Sequence, residues 1–259
     1  MRSLWNHRWL FLALLEREVR NRYVGSVGGW LWAIVHPLLL LGIYTMVFRT
    51  IFRVEIPQLG EHPFVAFVAL ALWPWLAFQE GVQRGVQAVQ ANSALVRKVS
   101  FPHELLVYAA VTATFVVQLA GYALVLTILA LFAGGLSAMV LLIVPILALL
   151  FLLALACALF GSALQVFLRD FDQLLGPLFM VLFYATPVLY PLALLPGWLG
   201  DILAFNPLAQ FIEPVRALAL FGSWTPSGFA LASWAATLLL FVLARGFFLR
   251  LSPHFEDFV

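Results

Sequence analysis

The residue types best suited to nucleophilic, metal or phosphate chemistry are few in this chain, and their spacing is unproductive. His7, His36, His62, His103 and His254 are scattered, with no HExxH pair to hold zinc. Cys157 is the one cysteine, which excludes an intrachain disulfide and a cysteine-based metal site. A phosphate-cradling P-loop closes on Gly-Lys-Ser/Thr, yet the only lysine, Lys98, stands between Arg97 and Val99. Gly25-Ser26-Val27-Gly28 resembles a nucleophile elbow but lacks the leading Gly-x. Ser162 has no obvious base. We therefore expect no catalytic residue, metal or cofactor in this chain, and no nucleic-acid partner. Ion-coupled carriage would call for ionisable groups inside apolar runs. Glu80 and His36 are such groups, each without an evident mate, and His36 before Pro37 reads as a donor to local backbone.

The elements that carry these residues are apolar. Glu104 and Arg169 bracket 64 residues without Asp, Glu, Lys or Arg, and the chain is 64% hydrophobic and 10% charged. A soluble domain carries about a quarter charged residues. A bilayer core takes roughly 20 helical residues to cross, so the uncharged stretch suits two long spans with a turn at Gly134-Gly135. The chain reads as an all-α polytopic membrane protein with six transmembrane helices: Trp30–Phe48, Phe64–Val82, Leu105–Phe132, Leu136–Leu168, Leu174–Tyr190 and Gly228–Ala244. The first run is too long for the apolar core of a secretory signal and lacks a small-residue cleavage site, so it reads as a retained span. Eleven of the 14 lysines and arginines then fall on one side, and Arg49, Arg53 and Arg216 on the other. By the positive-inside rule both termini are cytoplasmic.

Two segments are expected at the membrane without spanning it. Residues 10–23 place Leu12, Leu15, Val19 and Tyr23 on one helical face, the pattern of an interfacial amphipathic helix. Residues 191–222 are punctuated by Pro191, Pro196, Pro207 and Pro214 and broken by Asp201, Asn206, Glu213 and Arg216. Pieces of about 10–15 residues rise roughly 15–22 Å, half a bilayer, which suits re-entrant external helices between spans five and six. An amphipathic loop on the outer surface is the other reading. Glu213 and Arg216, at i,i+3, share a helix face.

Several stretches together resemble the permease subunits of ABC-2 type transporters that export lipid-linked polysaccharides (O-antigen, teichoic acid and capsule). They are REVRNRYVGSVGGWLWAIVHPLLLLGIYTMVF (Arg17–Phe48), NSALVRKVSFPHELL (Asn92–Leu106), RDF (Arg169–Phe171), FYATPVLYP (Phe183–Pro191) and NPLAQFIEPVRALAL (Asn206–Leu220). The resemblance covers nearly the whole chain as a single ABC-2 transmembrane domain. It implies a half-transporter in the bacterial plasma (inner) membrane: a second copy of the chain, two cytoplasmic ATPase subunits holding ATP and magnesium, and a lipid-linked polysaccharide, O-antigen before the others, as cargo. A compact lipid or drug exported by the same fold is the alternative, with an ion-coupled carrier or a scaffold further off.

The resemblance also implies residue roles. Residues 10–23 become a gate helix carrying Glu16, Arg17 and Arg20, and residues 90–102 a coupling segment with Arg97, Lys98, Phe101 and Pro102 toward the ATPase. Arg97 and Lys98 read equally well as positive-inside anchors. Arg169 and Asp170 fall at the cytoplasmic mouth, where a structural role at the helix end is the first reading; Asn206, Glu213 and Arg216 fall in the external gate, where Glu213 and Arg216 either lock it or neutralise each other. Flat rings suit pyranose C–H faces and tyrosine hydroxyls suit sugar oxygens, which makes Tyr44, Trp73, Trp75, Phe78, Tyr184 and Tyr190 candidate channel-lining aromatics. Plain packing is the alternative for each.

Overall fold

The computed structural model describes residues 7–22, 28–54, 56, 59, 62–132 and 136–259, apart from the side chains at 30, 132 and 193. Gly25-Ser26-Val27, Tyr23 and the Gly134-Gly135 turn lie outside the described residues. The rest is helical, with no strand among the described residues. Helix α1 (Arg8–Asn21) precedes α2 (Trp32–Thr45), which runs on as a π-helical turn over Met46–Ile51. Then come α3 (Phe64–Ala91), the short α4 (Ser93–Lys98) and α5 (Glu104–Phe132). A 3-10 turn at Ala138–Leu142 leads into α6 (Ile143–Phe167), followed by α7 (Phe171–Ala185). Helices α8 (Gly197–Ala204) and α9 (Ala209–Leu220) are short; α10 (Gly228–Leu251) and α11 (Phe255–Phe258) end the chain.

Among the described residues, five helical segments are long and apolar enough to cross a membrane: Trp32–Ile51, Phe64–Ala91, Glu104–Leu131, Ala138–Phe167 and Gly228–Phe258. The run expected over Leu174–Tyr190 folds as a helix of 15 residues, Phe171–Ala185, roughly 22 Å long. Its end has a local cause. Thr186 precedes Pro187 and takes an extended backbone (φ −101°, ψ 134°), as the residue before a proline prefers. Helix α3 departs in the other direction: it continues nine residues past the expected Val82, through Gln83, Arg84, Gln87 and Gln90.

Helix α3 is the hub, packed against α2, α5, α6, α7 and α9. Val68, Ala69, Leu70 and Ala71 have no exposed surface at all. Lipid tails are as apolar as leucine, so helices in a bilayer associate through close van der Waals contact, often at small residues. Gly85 and Gly161 supply that contact here. A Cβ at Gly85 would lie 2.5 Å from Ala158 Cβ and 2.7 Å from Val111 Cγ2, and one at Gly161 would lie 2.6 Å from Val86 Cγ2. These positions clamp α3 between α5 and α6.

The end of the bundle where α3 begins is tied by Arg216 of α9, whose side chain is 2% exposed. Its Nε donates to the Phe67 carbonyl (3.2 Å), and Nη2 donates to the carbonyls of Pro187 (2.8 Å) and Val188 (2.9 Å). Nη1 reaches Glu213 Oε1 at 2.9 Å, and the guanidinium lies 3.6 Å from the Phe67 ring centroid. One side chain thus joins α3, α9 and the segment that follows α7. Asn206 repeats the device, donating to the Ala185 carbonyl (3.0 Å) and Thr186 Oγ1 (2.9 Å). The Ser137 amide bonds the Ala219 carbonyl at 2.9 Å, which docks the entry to α6 on α9.

Two outcomes are expected. Gly85→Leu should overpack the α3–α6 contact by about 1–3 kcal/mol or more, read as a lower melting midpoint in detergent; an unchanged midpoint would contradict the close approach. Arg216→Met leaves Glu213 and the carbonyls without their donor. Removing one member of a buried pair costs about 3–5 kcal/mol, and the loss should fall toward the lower figure because Glu213 keeps some solvent access. Normal yield and melting would show that the tie is dispensable.

Candidate functional site

Two cavities lie along the seam where α7 faces α3. The one nearer the Arg216 end, about 280 Å³, is bounded by Tyr44, Trp75, Gln79, Phe179, Phe183 and Tyr184, with His36 at its edge. The rings form a connected set. Tyr44 stacks on Phe183 with centroids 5.5 Å apart, and Trp75 contacts Phe183 at 5.6 Å and Phe179 at 6.4 Å. Phe183 meets Tyr184 edge-on at 5.4 Å. Trp75 is only 1% exposed, and its Nε1 donates to Gln79 Oε1 at 2.9 Å. Tyr184 is 54% exposed and offers its ring outward. The Tyr190 hydroxyl donates to the Tyr184 carbonyl, holding the turn beyond the helix end.

The second cavity, about 540 Å³, is polar: Glu80, Gln83, Arg84, Gln87, Asp172 and Gln173 border it, with Leu175 and Gly176. Gly176 lines both cavities, so the two adjoin along the α7 face. Gln87 Nε2 donates to Asp172 Oδ1 at 2.8 Å, a link from α3 to the first turn of α7. Asp172 suits that turn because the helix N-terminus favours negative charge.

Glu80 has three partners, one at i,i+4 on its own helix and two brought in by the fold. Arg22, from beyond α1, pairs with its Oε1; Arg84 Nε reaches the same oxygen at 3.1 Å, and Gln118 Nε2 donates to Oε2 at 2.7 Å. The pairing with Arg22 is set by tertiary contact across nearly 60 residues, which is why no local pattern signals it. Glu104, 1% exposed, takes Arg245 Nε at 2.9 Å and Nη2 at 3.1 Å, joining α5 to α10. His36 makes no hydrogen bond among the described residues; it is exposed beside the aromatic cavity and does not bond local backbone.

Helix α1 lies against α5 and buries Leu14, with Leu10 and Phe11 packed on the core. The face that docks on the bundle is thus the one with Leu10, Phe11 and Leu14. Leu12 is exposed, as is Trp9, because α1 carries apolar residues on both sides. Arg17 Nη2 donates to Asn92 Oδ1 at 2.5 Å, tying α1 to the junction of α3 and α4, while Glu16 and Arg20 form an exposed pair at 2.6 Å. Arg97 and Lys98 end α4 and are exposed. Phe101 and Pro102 are half-buried, Phe101 edge-on to His103 at 5.2 Å, and His103 stacks on Phe255 at 6.1 Å. Burial holds His103 below the ordinary histidine value, against the pull of Glu256.

The residues singled out by sequence thus separate into groups. Tyr44, Trp75, Tyr184 and, through its contact with Phe179, Phe78 meet at the seam. Trp73 faces the other way, against α5 at Gly121. Arg169 and Asp170 are exposed just before α7. Asn206, Glu213 and Arg216 come together around the turn after α7, and burial raises the Glu213 carboxyl above its ordinary value despite Arg216. Sequence reasoning missed Phe179 and Phe183, and it missed the glutamines. Gln79, Gln83 and Gln87 recur every four residues along one face of α3, a polar stripe on an apolar span that was there to be read.

With this geometry in place, comparison with known proteins is specific. The ABC-2 type transporter family model matches residues 10–220. The chain is 31% identical over 226 residues to the O-antigen export system permease protein RfbA of Myxococcus xanthus, covering 84% of this chain and 83% of that protein. It is 28% identical over 214 residues to the protein of the same name from Klebsiella pneumoniae, covering 82% and 81%. The polysialic acid transport protein KpsM of Escherichia coli is 27% identical over 215 residues, 81% of each chain. A match across most of the chain, carried by helices built for the membrane, makes this protein a member of the ABC-2 type transporter family.

Proposed function

We propose that the chain is the membrane-spanning half of an ATP-driven exporter of lipid-linked polysaccharide, O-antigen in kind. The observation that carries the sugar reading is the ring-bordered cavity of Tyr44, Trp75, Phe183 and Tyr184, with an amide at Gln79. Aromatic faces pack on sugar C–H groups while hydroxyls and amides meet sugar oxygens. The RfbA relatives, named for O-antigen export, support the same cargo.

In this reading two copies face each other across a channel in the plasma membrane, each with a cytoplasmic ATPase subunit that holds ATP and magnesium. Helix α7, with the turn after it, completes six crossings and leaves both termini cytoplasmic. Residues 191–222, including α8 and α9, dip into the outer leaflet and close the exit; α1 lies in the cytoplasmic interface as the gate helix. Residues 90–102 dock in the ATPase through Arg97 and Lys98. The Arg17–Asn92 bond supports a mechanical link between these two cytoplasmic parts. ATP-driven closure of the ATPases would move α4 and α1 together and widen the seam beside α7. The engagement of Glu80 by Arg22, Arg84 and Gln118 favours this over ion coupling, since a carrier needs a carboxylate free to load.

The test is reconstitution with the co-purifying ATPase and measurement of polymer export. Tyr44→Ala and Tyr184→Ala should slow export several-fold while ATPase association stays at wild-type stoichiometry; normal export in both would remove the rings from the route. Glu213→Gln keeps a hydrogen-bonding group beside Arg216, so assembly should persist while export changes. Unaltered export would take Glu213 out of the gate.

A further inference from the structure

The seam between α3 and α7 carries information about the charge of its cargo. Relatives of this chain are named for O-antigen and for polysialic acid, and the second is a polyanion. A carboxylate or phosphate polymer brings many negative charges into a confined passage. Each must be paired or stay fully hydrated, because a desolvated unpaired charge costs far more than a desolvated hydroxyl. A route for such a polymer therefore needs cations that its own acidic residues have not already claimed.

The lining offers the opposite. Charged groups bordering the polar cavity are Glu80, Arg84 and Asp172, two acids against one base. Arg84 is engaged by Glu80, and so is Arg22, which lies behind it. The aromatic cavity contributes rings, His36 and Gln79. Arg216 is buried and spends its donors on three carbonyls and Glu213.

What the seam does supply is a row of amides. Gln79, Gln83 and Gln87 span nine residues of α3, about 12 Å of one helix face. Each keeps hydrogen-bonding capacity to spare. Gln79 accepts one bond at its oxygen from Trp75, and its NH2 makes no bond among the described residues. Gln87 donates one N–H to Asp172, and its oxygen makes no bond among the described residues. Gln83, between them, makes no hydrogen bond among the described residues and borders the polar cavity with both functions available. Such a series suits hydroxyls, which both donate and accept.

We infer that the α3–α7 seam is selective for an uncharged glycan over a polyanionic one, with Gln83 as a specificity-determining residue. The inference rests on the exporter reading above. Opposite charges placed at this one half-buried, cavity-bordering position test it. In reconstituted complexes with the ATPase, export is measured for an uncharged mannose homopolymer and for polysialic acid, each on its lipid carrier. Wild type should move the first and not the second. Gln83→Glu and Gln83→Lys should slow the uncharged polymer by similar factors, about two- to tenfold, the worth of a lost hydrogen bond. ATPase association and melting midpoint should be unchanged, because Gln83 is not part of the packed core.

Equal wild-type export of both polymers overturns the selectivity. So does a sign-dependent response to the uncharged polymer, and so does wild-type export of it by both variants. Failure of wild type to move either polymer, with ATP hydrolysis intact, overturns the exporter reading itself and this inference with it.

Discussion

A guanidinium sealed from water must find its partners within the protein, and that requirement organises one end of this molecule. Arg216 fills it with the carbonyls of Phe67, Pro187 and Val188 and with Glu213. The carbonyls of Pro187 and Val188 belong to a turn outside any helix, so they have no helical donor of their own. In an apolar surrounding each would otherwise be a costly orphan. The arginine and the turn therefore satisfy each other. Pro187 ends α7, and this exchange holds the turn that follows it.

The other end is held by charge pairs between elements distant in sequence. Glu104 opens α5 and meets Arg245 near the close of α10; Glu80 in α3 gathers Arg22 and Arg84. Glu104 is buried, Glu80 is half-buried beside the polar cavity, and both are matched. Aromatic contacts then seal the C-terminus, where Phe255 meets Phe167 and Phe248, and Phe258 lies 4.8 Å from Phe167. Between the two ends the contacts are apolar and tight. The bundle is thus polar-tied at both extremities and close-packed through its middle.

The long apolar helices were legible because a bilayer imposes length and composition directly on sequence. Their ends were less so. Helix α3 outruns its apolar run because Gln83, Arg84 and Gln87 are good helix formers that hydropathy alone counts as loop. Helix α7 falls short because Pro187 acts through backbone sterics that outweigh apolar neighbours. Around Arg216 the Glu213 partner was readable from i,i+3 spacing, but the three carbonyl acceptors were not, since a backbone carbonyl has no residue type. Arg84, at i,i+4 from Glu80, was readable in the same way, but Arg22 and the Glu104–Arg245 pair escaped because partners supplied by tertiary folding leave no mark on local pattern.

The contact of α3 with α6 sets limits on how this protein can diversify. At Gly85 and Gly161 the neighbouring atoms leave no room for even a methyl group. Any lineage, or any engineer, altering the cargo is barred from enlarging residues there. Helix α7 is under no such restraint, since Leu174, Leu178, Met180 and Val181 are exposed on the single chain. Variation can accumulate on that exposed face at little cost to the fold, so one bundle combines a contact closed to change with a helix face open to it.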